Sequence, residues 1–483
     1  MRRQLLTVLL AAGFLVLSGC GGSGGTSISG VFGGGSGSVA VFTGDTPLCD
    51  VVSFEVTITG ITLTPANGGA PVSVLSSGQS VTVDFASLME FSTFLNLVTI
   101  PAGTYSTVTL TFSNPKLTIL DFSQNPPAPT TISATLPSLS VTYNINPALT
   151  VAANGTSGLQ LDFNLLKSIQ TDTKGLVTGN VVPVLQASPV TVTTASGLGD
   201  LEDLHGLVQS VSTTGSGSFS GSVVVQTVGT GGGSRTVNVS SSTVFDGVSG
   251  LSALLVGTFV EIDAFVDSSG NIVARRVEAE GQDSASLLQA AFLGLVTSVT
   301  PLSTGSVSQF TMVVRQEFPD VSTGVPLKSS LVVNVQPSTQ FKIAASQANL
   351  AQLQFGSTTL GLGQNVAVHG NFQPGTQGIP PVLNATSVFL RLQSVVGDFS
   401  NVLGGGGFTL VPCSGIFKGQ AISVLTFGST DFEGVSGLSG LTTTSRLVVK
   451  GLVFFEPTLQ SAGSVTLSPP SLVLVAKKVR QLP

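Results

Sequence analysis

The sequence predicts an all-β protein: a β-sandwich near the N-terminus followed by three related five-stranded barrels. Three observations lead there. Runs of Val, Thr, Ser and Phe alternate with the period of two expected of half-buried strands. Gly, Pro or Asn punctuates these runs about every ten residues, as chains of short strands and turns require. The second half of the chain also repeats itself, which sets the number of modules before any fold is assigned.

The chain opens with a basic head, Arg2 and Arg3, an apolar run from Leu5 to Leu17, and Leu17-Ser18-Gly19-Cys20. This is the layout of a secretory signal and is too short for a mature membrane span. The Leu-Ser-Gly-Cys ending resembles the lipobox of bacterial lipoproteins, which implies an acylated Cys20 as the new N-terminus. Gly21 to Gly37 is Gly/Ser-rich and reads as a flexible tether with a reach of roughly 20 to 25 Å. Gly21-Gly22-Ser23-Gly24-Gly25 fits the G-x-S-x-G pattern of hydrolases, yet it lacks the strand before and the helix after that a nucleophile elbow needs. No Asp follows Cys20, so the expected anchor is an outer membrane, with the periplasmic or surface face left open.

Removing the signal takes away two arginines and leaves 16 basic against 24 acidic side chains, a net charge of −8. Only 9% of residues are charged and Trp is absent. An acidic chain without a basic stripe leads to the expectation of no nucleic-acid partner, because such binding rests on neutralising phosphates.

In the first folded region, Ser38 to Phe42, Ser53 to Thr59, Val81 to Phe85 and Thr107 to Phe112 alternate as strands. Asn67-Gly68 marks a hairpin between Ile61 to Thr64 and Val72 to Val74. Leu159 to Leu165 and Asn180 to Leu185 supply the last strands. Gly44-Asp45-Thr46-Pro47, Phe54-Glu-Val-Thr-Ile58, Pro101-Ala-Gly-Thr-Tyr105 and Leu161-Asp-Phe163 together resemble a bacterial lipoprotein family known as domain of unknown function 4382. The Pro-Ala-Gly-Thr-Tyr turn also recurs in prealbumin-like adhesin modules. The resemblance implies a sandwich and an envelope location, and no reaction. Asp45 and Asp162 are read either as metal ligands or, preferably, as carboxylates capping backbone amides.

The repeats rest on three anchors. Gly206-Leu-Val-Gln-Ser-Val211 matches Gly294-Leu-Val-Thr-Ser-Val299, with a weaker copy at Ser394-Val-Val-Gly-Asp-Phe399. Thr243 to Leu254 reappears as Thr430 to Leu441, and Thr339-Gln-Phe341 keeps its start. Ala-x-x-Val closes each copy at Ala274 to Val277, Ala385 to Val388 and Ala476 to Val479. Phe245, Phe341 and Phe432 should therefore hold equivalent core positions. In the first copy, strands at 206–211, 219–227, 235–240, 258–266 and 272–279, with a Leu-rich turn over Leu251 to Val256, follow the order of an OB-like barrel. The copies resemble a second family, domain of unknown function 5666. The phenylalanines read as core rather than as nucleic-acid platforms.

The expected plan is a signal peptide over 1–19, a tether over 20–37, a sandwich over 38–193, an acidic linker over 194–205, barrels over 206–281, 294–393 and 394–483, and a linker over 282–293.

Chemistry is sparse. His205 and His369 lie in different modules, neither at metal spacing, and His205 reads as part of a solvated hinge in Asp200-Leu-Glu-Asp-Leu-His205. Asp267 to Asn271 looks like a calcium loop without its alternating carboxylates and reads as a hairpin turn. No catalytic residue, metal ligand or cofactor is assigned. Once Cys20 is lipidated, Cys49 and Cys413 form an even pair and are the candidate disulfide in an oxidising compartment. The expected function is that of a lipid-anchored envelope protein with a non-catalytic scaffold, adhesion, or polymer- or partner-binding role. Its partners would be the membrane, through the lipid, and an envelope polymer or protein. The alternative is an envelope hydrolase acting on a polysaccharide or similar polymer. Only Tyr105 and Tyr143 join the phenylalanines as aromatics, which disfavours sugar stacking.

Overall fold

The computed structural model describes residues 35–482, apart from 47, 49, 76–77, 89–92, 174–175, 191–199, 228–232, 268, 282–288, 302–304, 319–327, 344–352, 376–379, 414 and 457–470. Cys20 and the signal and tether before Gly35 lie outside the described residues, as does Cys49.

The N-terminal domain contains β1 (Ser36–Thr46), β2 (Val51–Pro65), β3 (Val72–Ser73), β4 (Val81–Asp84), β5 (Thr93–Pro101), β6 (Gly103–Asp121), β7 (Ala128–Ser133), β8 (Ser140–Val151), β9 (Thr156–Asn164), β10 (Ile169–Thr171), β11 (Val177–Val181) and β12 (Leu185–Val190). Ten of them join in the order β3-β2-β6-β8-β12-β9-β1-β5, with β4 on β2 and β7 on β6. This sheet folds over itself at β8 and β12. Phe54 of β2 and Phe112 of β6 then face Phe163 of β9 across one core, at ring separations of 5.6 and 6.4 Å, and Phe85 lies 4.5 Å from Phe163. The expected hairpin is present: Gly68 takes φ +78°, where a side chain would be strained, and Asn67 accepts the Gly69 N–H at 3.1 Å. Tyr105, from the Pro-Ala-Gly-Thr-Tyr turn, is fully buried and donates its hydroxyl to Pro101 O at 2.7 Å.

Three closed five-stranded barrels follow. The first is built from β13 (Asp200–Ser212), β14 (Phe219–Thr227), β15 (Gly233–Asp246), β16 (Phe259–Val266) and β17 (Ile272–Gly281). The second is built from β18 (Gln289–Pro301), β19 (Val307–Phe318), β20 (Ser330–Ile343), β21 (Asn365–Gln373) and β22 (Val382–Leu390). The third contains β23 (Gln393–Leu403), β24 (Gly407–Pro412), β25 (Ile422–Leu425), β26 (Asp431–Glu433), β27 (Arg446–Glu456) and β28 (Ser471–Gln481). In each, the first strand pairs with the second and fourth, and the third runs parallel to the fifth. In the last barrel that third strand is broken into β25 and β26, both lying along β28.

The shared anchors have a common physical cause. In the parallel ladder, Phe245, Phe341 and Phe432 stand opposite Val277, Val388 and Val479. They occupy equivalent places, although each is only half-buried at the margin of its core instead of deep within it. Two residues earlier, Thr243, Thr339 and Thr430 donate their hydroxyls to the carbonyls of Ala274, Ala385 and Ala476 at 2.7, 2.7 and 2.8 Å. The same hydroxyls accept the N–H of Ser240, Gln336 and Phe427. Each threonine thus satisfies backbone groups where the third strand interrupts its pairing. Thr339→Val should therefore cost about 1–2 kcal/mol in the unfolding of the second barrel, read by chemical denaturation. The first-strand glycines Gly206, Gly294 and Gly397 are equivalent, since a Cβ at each would collide with the facing strand's carbonyl at Gln226, Val313 or Val411. The match expected for the third copy is corrected accordingly: the counterpart of Gly206 there is Gly397 and not Ser394.

Two expectations are corrected. Asp200 to His205 is not a solvated linker: it is the start of β13, paired to β16 from Asp200 opposite Phe265 to His205 opposite Glu261. Strand β18 likewise begins at Gln289, inside the stretch assigned to the second linker. Both misreadings arise because these strands continue beyond the repeat and pair there with their own barrel.

Candidate functional site

Buried and half-buried ion pairs lie where the four units meet. At the junction of the first two barrels, Phe259 and Glu261 leave β16 on the side opposite Val260 and Ile262, which fill the barrel core. Glu261 Oε2 lies 2.7 Å from Arg391 Nη1 and 4.0 Å from His205 Nε2. Side-chain exposure is 7% for Glu261, 4% for Arg391 and 9% for His205, so this pair sits out of water. His205 stacks on Phe259 at 6.2 Å, while His369 of β21 meets the same ring edge-on at 5.1 Å and Phe389 at 5.3 Å. The chain's two histidines thus flank one phenylalanine, an arrangement their separation of 164 positions (369 − 205) conceals.

The sandwich meets each barrel. The Ala40 and Phe42 side chains of β1 enter the apolar cluster of the first barrel with Leu97. Lys328 of the second barrel binds Glu55 and lies 3.7 Å from Asp84 Oδ2. Burial pushes the Asp84 carboxyl above the usual range, opposed by Lys328, the Ser53 hydroxyl at 2.7 Å and the Phe54 N–H at 2.9 Å. Arg480 of the third barrel binds Asp162 at 2.9 Å, and the Gly415 N–H donates to Asp50. Burial also raises the Asp50 carboxyl, with the Gly415 N–H and Lys418 pulling the other way. An apolar contact of Val52 and Leu120 with Val313 and Ile416 joins three units at once. Between the last two barrels, buried Gln364 donates to Val453 O at 2.9 Å.

Asp162 therefore holds a neighbouring module. Asp45 lies on β1 opposite Phe163. Asp267 serves its own turn, accepting the N–H groups of Ser269 and Asn271 at 2.8 Å each, as the hairpin reading expects. Cys413 is half-buried beside Val396, Val448, Leu482 and Leu166, the last from the sandwich, with Sγ 3.6 Å from Val396 O. Asp50, next in sequence to Cys49, reaches the residue two beyond Cys413, so the last barrel folds back on the first domain here. Among the described residues no group of three or more His, Cys, Asp or Glu could hold a metal. No helix among them is long and apolar enough to cross a membrane. Sequence reasoning passed over Glu261, Arg391, Lys328 and Arg480. The available signal was isolation, as in Phe389-Leu390-Arg391-Leu392, where one charge stands in an apolar run.

Among solved structures, the chain is similar to a deletion mutant of the single-stranded DNA binding protein from Thermus aquaticus. Identity is 13% and the TM-score 0.15, covering 40% of this chain and 94% of that one. It is also similar to Unr CSD456 from Drosophila, with 10% identity and a TM-score of 0.13, covering 58% of this chain and 97% of that one. At these TM-scores neither likeness carries an argument about binding. The neighbours thus neither establish nor exclude a nucleic-acid partner, and the expectation that excluded one is withdrawn. Whole-chain charge was also too coarse a ground for it: residues 393–483 carry six basic against four acidic side chains. No curated protein matches the chain. Residues 36–178 match a domain of unknown function (DUF4382) and residues 205–278 a second one (DUF5666). The chain thus joins a DUF4382 region to a DUF5666 barrel, with two further barrels built on the same anchors.

Proposed function

We propose that this is a lipid-anchored protein of the cell envelope whose role is that of a scaffold or partner-binding body and not that of an enzyme. The observation that carries this reading is the use of its buried and half-buried charges. Glu261, Asp162, Glu55 and Asp84 each face a cation of another module or of the segment that joins two modules. These carboxylates, already engaged and largely shielded from water, act as clamps between modules. A body of four units held in one arrangement presents a large fixed surface, which suits adhesion to a polymer or protein beyond the reach of its tether. The Leu17 to Cys20 ending and the Gly/Ser stretch after it support attachment by lipid, with the outer membrane favoured by the residues after Cys20.

Cys20→Ala should move the protein from the membrane pellet to the soluble fraction of lysed cells. A variant that stays in the pellet like its parent refutes the anchor. Crosslinking of intact envelopes followed by recovery of the chain should then capture a partner of the anchored form that the Cys20→Ala form does not capture.

A further inference from the structure

A cleft of about 250 Å³ lies between the sandwich and the last barrel, with β9 and β12 on one side and β26 and β28 on the other. Cavities at such junctions are common ligand sites, because two rigid walls are already in place before binding. The Asp162–Arg480 pair holds the walls together at 2.9 Å. Glu433, the other carboxylate of the cleft, is 2.6 Å from Lys478. Both negative charges are therefore balanced. Lys167 remains: its exposed ammonium makes no hydrogen bond or ion pair among the described residues, and neither do the side-chain amides of Gln186 and Gln481. Val184 and Leu185 add an apolar strip beside them.

We propose that this cleft binds a small organic carboxylate carrying hydroxyl groups, of the size of a sugar acid. Its carboxylate would meet Lys167, its hydroxyls the amides of Gln186 and Gln481, and its carbon face the apolar strip. One unbalanced positive charge selects an anion. Two amides, each able to donate and accept, select hydroxyl groups around it. The apolar strip separates such a ligand from a bare inorganic ion. Because the ligand would touch both modules, it also stabilises their contact by mass action.

The test is calorimetric titration of the purified full-length protein with glucuronate, glucose and inorganic phosphate. Glucuronate should give saturable heat, and Lys167→Ala should weaken its binding roughly tenfold or more, as expected for loss of a charge-assisted hydrogen bond. Gln186→Ala should weaken it by a smaller factor. Both residues are exposed, so neither change should disturb folding, and an unchanged thermal transition verifies that. The proposal is overturned by absence of saturable heat with glucuronate at millimolar concentration, by equal affinity in Lys167→Ala, or by glucose or phosphate binding as tightly. Each of these results leaves the lipid-anchor reading intact, since that one is decided by fractionation of Cys20→Ala.

Discussion

Replacing Glu261 with Ala should cost about 3–5 kcal/mol, among the largest effects of any single polar change in this protein. Arg391 is 4% exposed and lies 2.7 Å from this carboxylate. Its guanidinium would stay buried without this carboxylate beside it, and His205, 4.0 Å away, would lose the same neighbour. The pair itself need not be strongly favourable, because desolvation offsets much of its attraction. The penalty comes from breaking half of it. The double variant Glu261→Met with Arg391→Met should therefore recover most of the loss. Scanning calorimetry checks both statements. A single variant as stable as the parent would show that the junction is open to water.

Phe163→Ala should destabilise the sandwich by about 3–5 kcal/mol. The ring is 1% exposed and touches Phe54 and Phe112 of the facing layer and Phe85, which follows β4. Removing it leaves a cavity between two sheet faces that cannot close without shifting β9. That strand also carries Asp162, the partner of Arg480, so the variant should weaken the hold on the last barrel as well. In a chain of four units unfolding need not be two-state, and the change belongs to the transition that contains the sandwich. Denaturant unfolding followed by near-ultraviolet circular dichroism of Tyr105 and Tyr143 reports on that unit, because both tyrosines lie in it.

Much of the fold was legible because period and repeat are local properties. The alternation in Ser53 to Thr59 and Thr107 to Phe112 identified strands that do alternate inward and outward. The pairing of Phe245 with Val277, and of its two counterparts, was readable because Thr-x-Phe and Ala-x-x-Val recur in order. Other features depend on positions that alternation assigns to solvent. Along Phe259 to Val266 the inward set is Val260, Ile262, Ala264 and Val266, so Phe259 and Glu261 read as exposed, yet a second barrel covers them. In β2 the inward set runs Phe54, Val56, Ile58 and then Ile61 and Leu63, because an irregularity between Ile58 and Gly60 inserts an extra residue. No propensity marks that shift. The charged clamps were missed for the same reason as Glu261: their partners are distant in sequence and belong to another unit.

The sandwich and the barrels form one body held by pairs of opposite charge. Zero-length carbodiimide crosslinking of the intact protein, followed by peptide mass spectrometry, tests it most directly. Glu55 and Lys328 are in direct contact across the boundary between sandwich and second barrel, so they should appear as one of the abundant crosslinked peptide pairs. Glu433 with Lys478 provides the reference within a single barrel, at 2.6 Å. Recovery of both pairs in comparable yield is the predicted result. Recovery of Glu433 with Lys478 alone would contradict it and would describe four domains strung along a chain.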